Sequence, residues 1–182
     1  MNSWLTLMQE IPANAAGVSI HSAAHKRRPD VHAVCHAHSI YGRAYSAFGK
    51  PLEMLNQDVC NFYNAHSVYE TYGGVALSGE EGENIAEALG GGKACILVNH
   101  GLLTVGNTVD EAAFLYMVLE RSCKAQLLIE AAVAGGRVQK QLIGDEEAAY
   151  NFKMNSDSET LYFEMQPHIR YEEYLHGSDY KN

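Results

Sequence analysis

Two short apolar runs stand out along the chain. Val31-His32-Ala33-Val34-Cys35-His36 and Ala94-Cys95-Ile96-Leu97-Val98 are compact and carry β-branched residues. Such runs between breakers predict buried strands. Pro29-Asp30 precedes the first, Asn99-His100-Gly101 interrupts the second, and Leu102 to Val105 extends again. Helical patterns fill the intervals. Ile20 to Arg28 is Ala-rich, ends in a basic turn and stops at Pro29, as helix ends favour. Ile40 to Phe48 reads as a helix closed by Gly49-Lys50-Pro51. Ser78-Gly79-Glu80-Glu81 has capping-box spacing, and an Ile85, Ala88, Leu89 stripe follows before Gly90-Gly91-Gly92. Thr108-Val109-Asp110-Glu111 opens the longest predicted helix, which runs to about Ala134 and stops at Gly135-Gly136.

The remaining stretches are less patterned. Residues 1–19 read as an irregular lead-in, because Pro12, Asn14 and Gly17 interrupt any long element. Residues 52–77 mix polar and aromatic positions without a clear period, and Gly73-Gly74 marks a turn. Residues 137–182 are polar and Tyr-rich and read as a tail. Helices alternating with strands predict an α/β domain around one central sheet. No internal repeat or break in composition divides the chain, so residues 1–182 are expected to form a single domain with a core at about 17–135.

Composition narrows the function. The chain has 182 residues, 47% of them hydrophobic, with 13 Lys and Arg against 22 Asp and Glu, a net charge of −9. Nucleic-acid binding needs a basic stripe that displaces counterions. The one basic cluster, His25-Lys26-Arg27-Arg28, ends at Pro29 and reads as a solvated helix end. No run approaches the ~18 apolar residues of a membrane helix, and the N-terminus lacks the basic start of a signal peptide. Cys35, Cys60, Cys95 and Cys123 lie far apart. They read as free thiols of a cytoplasmic protein.

The nine histidines carry the chemistry. His36-Ala37-His38 closes the first strand. Residues two apart in extended chain share a face, so the two imidazoles suit neighbouring positions on one divalent metal. His100 directly follows the second strand, and histidines at two strand ends can converge at one sheet edge. Three ligands with an open position describe a catalytic zinc site. The alternative is that His100 only caps a turn. His21 and His25 share a helix face but lack the Glu of a His-Glu-x-x-His protease. His32 reads as a packed residue deeper in the sheet or a partner to the ligands. No Gly-x-Ser-x-Gly elbow supports a hydrolase, and Gly90-Gly91-Gly92-Lys93 follows a helix where a phosphate loop needs a strand.

Arg28-Pro29-Asp30-Val31-His32-Ala33-Val34-Cys35-His36-Ala37-His38-Ser39 resembles the metal-binding segment of the class II aldolase/adducin head-domain family. Ile96-Leu97-Val98-Asn99-His100-Gly101-Leu102-Leu103-Thr104-Val105-Gly106 resembles its second motif, and Val109 to Ala132 resembles the long helix that follows. The resemblance spans about 17–135. It implies a three-layer α/β/α sandwich with a mainly antiparallel sheet, usually a homotetramer with sites near subunit interfaces. It implies one divalent metal ion on His36, His38 and His100, with zinc the leading choice and iron or manganese the alternatives. The metal would polarise a hydroxy-carbonyl substrate and stabilise an enediolate. Relatives of this kind include sugar-phosphate aldolases, an epimerase, a dehydratase, decarboxylases, iron-dependent oxygenases and the non-enzymatic adducin heads.

Two departures shape the expected function. The aldolases place a metal-binding, acid/base Glu at a position that falls here at about Gly17. They also bind substrate phosphate with an N-terminal Gly-Asn motif and a Ser-Gly segment, which the chain is expected to lack. The leading expectation is a lyase acting on a small hydroxy-carbonyl or keto-acid substrate. An oxygenase or decarboxylase on the same fold and a non-catalytic adducin-like module are the alternatives. No catalytic residue is assigned. Tyr41, Tyr45, Asp58 and Tyr63 are open as proton donors, and Tyr162, Tyr171 and Tyr174 as residues reaching a neighbouring subunit.

Overall fold

A computed structural model describes residues 14–72 and 79–178. The expected breaks at Pro12 and Gly73-Gly74 and the Ser78 cap lie outside these residues.

The first helix, α1 (Ala15–Arg27), begins five residues before its expected start at Ile20. Asn14 initiates it instead of breaking it, because its side-chain oxygen accepts a bond from the Gly17 amide at 3.0 Å. An N-cap of this kind offsets the conformational freedom of a glycine in the first turn. Strand β1 (Ala33–Ala37) and helix α2 (Ile40–Ser46) follow. The unassigned stretch contains a 3₁₀ turn at Asp58–Phe62 and a strand, β2 (His66–Tyr69). Then come α3 (Gly79–Leu89), β3 (Ala94–Leu97), β4 (Gly101–Gly106) and the long α4 (Val109–Val133).

The four strands lie in the order β1-β4-β3-β2. β1 pairs antiparallel with β4, as does β3, while β2 runs parallel to β3. The sheet is therefore mixed, with its antiparallel character confined to two of the three pairings. The cause is the length of the connections. β3 and β4 are joined by a three-residue turn, whereas β2 reaches β3 through α3, the crossover that parallel pairing needs.

Both faces of the sheet are covered. Tyr45, Phe62, Ile96, Leu102, Leu115 and Leu119 pack in one cluster beneath α2 and α4. Ile20, Ile85, Leu89, Cys95, Leu97 and Leu103 pack in the other beneath α1 and α3. Successive residues of β3 alternate between the two clusters, as the strand period demands. Two covered faces explain why β3 and β4 read as unbroken apolar runs.

The basic cluster is spent on the joint between α1 and α3. Arg28 donates to both Asp30 carboxylate oxygens and to the Gly90 and Gly92 carbonyls that end α3. Lys26 pairs with Glu83 at 2.7 Å. Lys26 and Arg27 are solvated, as expected of a helix end, while Arg28 also bridges to the end of α3.

In place of the polar, Tyr-rich tail expected from residue 137, the described residues 137–178 hold α5 (Asp145–Asn155) and α6 (Ser158–His176). α5 packs on the 3₁₀ turn and α6 on α4. Each of these two helices inserts one fully buried side chain, Ala148 and Leu161. One anchor per helix leaves no apolar stripe for a periodicity reading to detect. Among the described residues, no helix is long and apolar enough to cross a membrane. All four cysteines are free thiols, with Cys60, Cys95 and Cys123 buried.

Candidate metal centre

His36 stands near the end of β1, opposite Leu103 of β4. His38 lies just past the strand, and His100 sits in the turn between β3 and β4. That turn needs Asn99 at φ 57, a left-handed conformation that Asn tolerates better than most residues. The His100 amide donates to the Leu97 carbonyl at 3.0 Å. A Cβ at Gly101 would stand 2.6 Å from the Ala37 oxygen. The glycine therefore lets the turn close against the His36-Ala37-His38 segment.

The result is convergence of the three rings. His36 and His38 have centroids 5.3 Å apart, His36 and His100 4.9 Å, and His38 and His100 4.7 Å. One ligand nitrogen of each lies within 4.8 Å of the others. His36 Nδ1 is 2.9 Å from the Leu102 carbonyl oxygen. A carbonyl only accepts, so Nδ1 carries the proton and Nε2 offers its lone pair. Burial, then the neighbouring His36 and His38, pushes His100 down to about 4. Burial also lowers His36, against the bond to Leu102 and with help from His38 and His21. Both imidazoles are therefore neutral near pH 7, the form that binds a metal.

This gives a pH expectation. His36 and His100, like the half-buried His66, bind protons less readily folded than unfolded. Their contribution to stability is complete above about 6.5, the ordinary histidine value. It is lost as pH falls from there toward the folded values. The melting temperature of metal-free protein should fall between pH 7.5 and pH 5, and His100→Asn should flatten the profile. A wild-type profile that the substitution leaves unaltered would count against it.

The three histidines line a cavity of about 600 Å³ with Gly17, Arg43, Tyr72 and the amides Asn14 and Asn99. Gly17, the place counted for the aldolase Glu, does face the histidines across this cavity. No carboxylate is among its described lining residues.

The other candidates stand elsewhere. His25 Nδ1 lies 3.0 Å from the Val31 oxygen. His21 stays half-buried beside it, close enough to His36 to depress its protonation. His32 is exposed rather than packed in the sheet, since β1 begins only at Ala33. Tyr45 is buried and donates to the Pro51 carbonyl. Tyr41, Asp58 and Tyr63 are also absent from the cavity wall, whereas Tyr72 is on it. Tyr162, Tyr171 and Tyr174 are exposed on α6.

Glu120 of α4 is a positioning residue that carried no sequence signal. Its carboxylate accepts from the Ser39 hydroxyl and from the Tyr41 and Gly42 amides at 2.9 and 2.6 Å. Tyr116 donates to the Ala37 oxygen at 3.0 Å. These bonds anchor the segment carrying His38 and the start of α2, and an anion suits that helix end.

The Class II Aldolase and Adducin N-terminal domain model matches residues 4–127. The Meiotically up-regulated gene 14 protein of Schizosaccharomyces pombe is 47% identical, covering 87% of this chain and 61% of its own length. A Streptomyces roseochromogenus subsp. oscitans protein, 4-hydroxy-3-prenylphenylpyruvate oxygenase/4-hydroxy-3-prenylbenzoate synthase, is 48% identical over 65% of this chain and 43% of its own. The solved L-fuculose 1-phosphate aldolase from Glaciozyma antarctica PI12 superposes with a TM-score of 0.79 at 42% identity. That match covers 91% of this chain and 61% of the aldolase. The chain thus spans between about two fifths and three fifths of these relatives' own lengths.

Proposed function

The chain belongs to the class II aldolase and adducin N-terminal domain family, and we propose that it is a divalent-metal-dependent lyase acting on a small hydroxy-carbonyl or keto-acid substrate. The observation that carries this reading is the convergence of three imidazoles on one cavity. His36, His38 and His100 would hold the ion, and an all-nitrogen donor set suits zinc or iron better than magnesium or calcium. When bound, the metal supplies Lewis-acid stabilisation of charge developing on a substrate oxygen.

The chain's own residues do the rest. The Leu102 carbonyl fixes the His36 tautomer, and Glu120 and Tyr116 hold the strand end carrying His38. Tyr72 and the two amides are the described neutral groups able to orient a substrate or pass a proton. The four free thiols support a cytoplasmic setting, and the family resemblance supports a homotetramer.

Turnover by the zinc-, manganese- or iron-loaded protein is expected on a panel of aldol and keto-acid substrates. It should vanish on chelation and return with metal. Turnover that survives complete chelation would refute the reading.

A second reading is favoured by Gly17. A cavity with no carboxylate among its described lining residues suits oxygenation of a keto acid, in line with the oxygenase name of the Streptomyces relative. Substrate-dependent oxygen uptake that requires Fe(II) separates the two.

A further inference from the structure

We infer that Arg43 is the receptor for a substrate carboxylate in the histidine cavity, which makes the ligand class a 2-oxo or 2-hydroxy acid. The assignment of ligand class rests on the reading above, that the histidines serve a small oxygenated substrate.

The first support is charge. Among the described residues lining the cavity, Arg43 alone carries a full charge at neutral pH, and none carries a negative one. A bound dication would make the cavity more positive still. An anionic ligand would complement this charge. Gly17 sharpens this. A Cβ there would meet nothing closer than the Asn14 amide oxygen at 3.8 Å, so the wall is open as well as uncharged.

The second support is the state of the arginine. Arg43 lies one helical turn into α2, its amide donating to the Ser39 carbonyl at 3.0 Å. Its side chain is exposed and, among the described residues, has no ion-pair partner. Arg28, in contrast, has its guanidinium taken up by Asp30 and two carbonyls. Arg43 is therefore a cation whose backbone is fixed by α2 and whose side chain has no ion-pair partner among the described residues.

The third support selects carboxylate over phosphate. Phosphate sites use free amides at a helix N-terminus. The α2 amides of Tyr41 and Gly42 are consumed by the Glu120 carboxylate, which would also repel a dianion. What remains is the planar Arg43 guanidinium, with the Asn14 and Asn99 side-chain amides elsewhere on the cavity lining. A guanidinium fork pairs with carboxylate and phosphate alike, so the choice of carboxylate rests on the consumed amides.

The test titrates pyruvate, its neutral amide pyruvamide, and inorganic phosphate by ligand-observed NMR. It uses wild type, Arg43→Gln, Arg43→Lys and Gly17→Glu, each zinc-loaded and chelated. Wild type should prefer pyruvate to pyruvamide. Arg43→Gln should weaken pyruvate by about tenfold or more, as loss of a charged hydrogen bond does, without changing zinc content or pyruvamide binding. Arg43→Lys should restore only part, because the fork is lost. Gly17→Glu should also weaken pyruvate, by adding an anion at a helix position where Glu is well tolerated.

Equal pyruvate affinity in wild type and Arg43→Gln would overturn the inference. So would tighter binding of phosphate than of pyruvate, or no pyruvate binding at all. A wild type that takes up no metal would sink the metal reading alone, provided the chelated protein still shows an Arg43-dependent preference for pyruvate. Loss of both metal and preference would sink both.

Discussion

Replacing His36 and His38 together with alanine should reduce bound metal from about one ion per chain to none. Loss of a group that merely orients a ligand costs about 10–100-fold in affinity, so loss of two ligands should cost about 10⁴-fold or more. His36 is half-buried and His38 exposed, at the end of a strand rather than in the core. The double variant should therefore keep its circular dichroism spectrum and elution volume. Elemental analysis and chelator competition provide the readout. His32→Ala, at an exposed position on the same segment, should retain full metal. Full occupancy in the double variant would remove the basis of the proposed function.

Lys93→Met should destabilise the fold by about 3 kcal/mol, within the range for breaking a buried ion pair by removing one partner. Glu111 is 2% exposed and accepts from Lys93 Nζ at 2.7 Å, the Asn107 amide at 2.8 Å and the Ser158 hydroxyl at 2.7 Å. Burial alone would raise its carboxyl, but these donors, led by Lys93, outweigh that and hold it below the usual value. The four groups come from the β3 approach, the turn after β4, α4 and α6, so one carboxylate ties the C-terminal helix to the sheet. Loss of the ammonium strands the charge. Urea unfolding should show a lower midpoint with an unchanged slope. A midpoint equal to wild type would mean that water replaces the ammonium without cost. The same carboxylate stabilises the fold above its unfolded value of about 4.3. That stability is lost as pH falls below it.

Elements with a strong local signal were legible. β1, β3 and β4 announced themselves through short β-branched runs, and α4 through its capping box, in which Thr108 accepts from the Glu111 amide at 3.0 Å. The misjudged elements lack such signals. Asn14 and Gly17 look like breakers until the cap bond is seen. β2 has four half-buried residues with no alternation. Its His66 acts structurally, donating to the Phe62 carbonyl and accepting from the Leu52 amide. α5 and α6 each rest on one anchor inside a polar sequence.

The sequence alone determined that His36 and His38 would stand together, because a two-residue spacing in extended chain leaves no other choice. It also determined that a buried α/β sheet would carry them. Tertiary structure decided that His100 joins them. This depends on the β1–β4 register and on Gly101 admitting the Ala37 carbonyl. Tertiary structure also decided that Gly17 and Arg43 line the same cavity and that Glu120, 81 residues beyond Ser39, holds the start of α2. Those are meetings of residues remote along the chain. Local propensity does not encode them, because they exist only once the two apolar faces of the sheet have been covered.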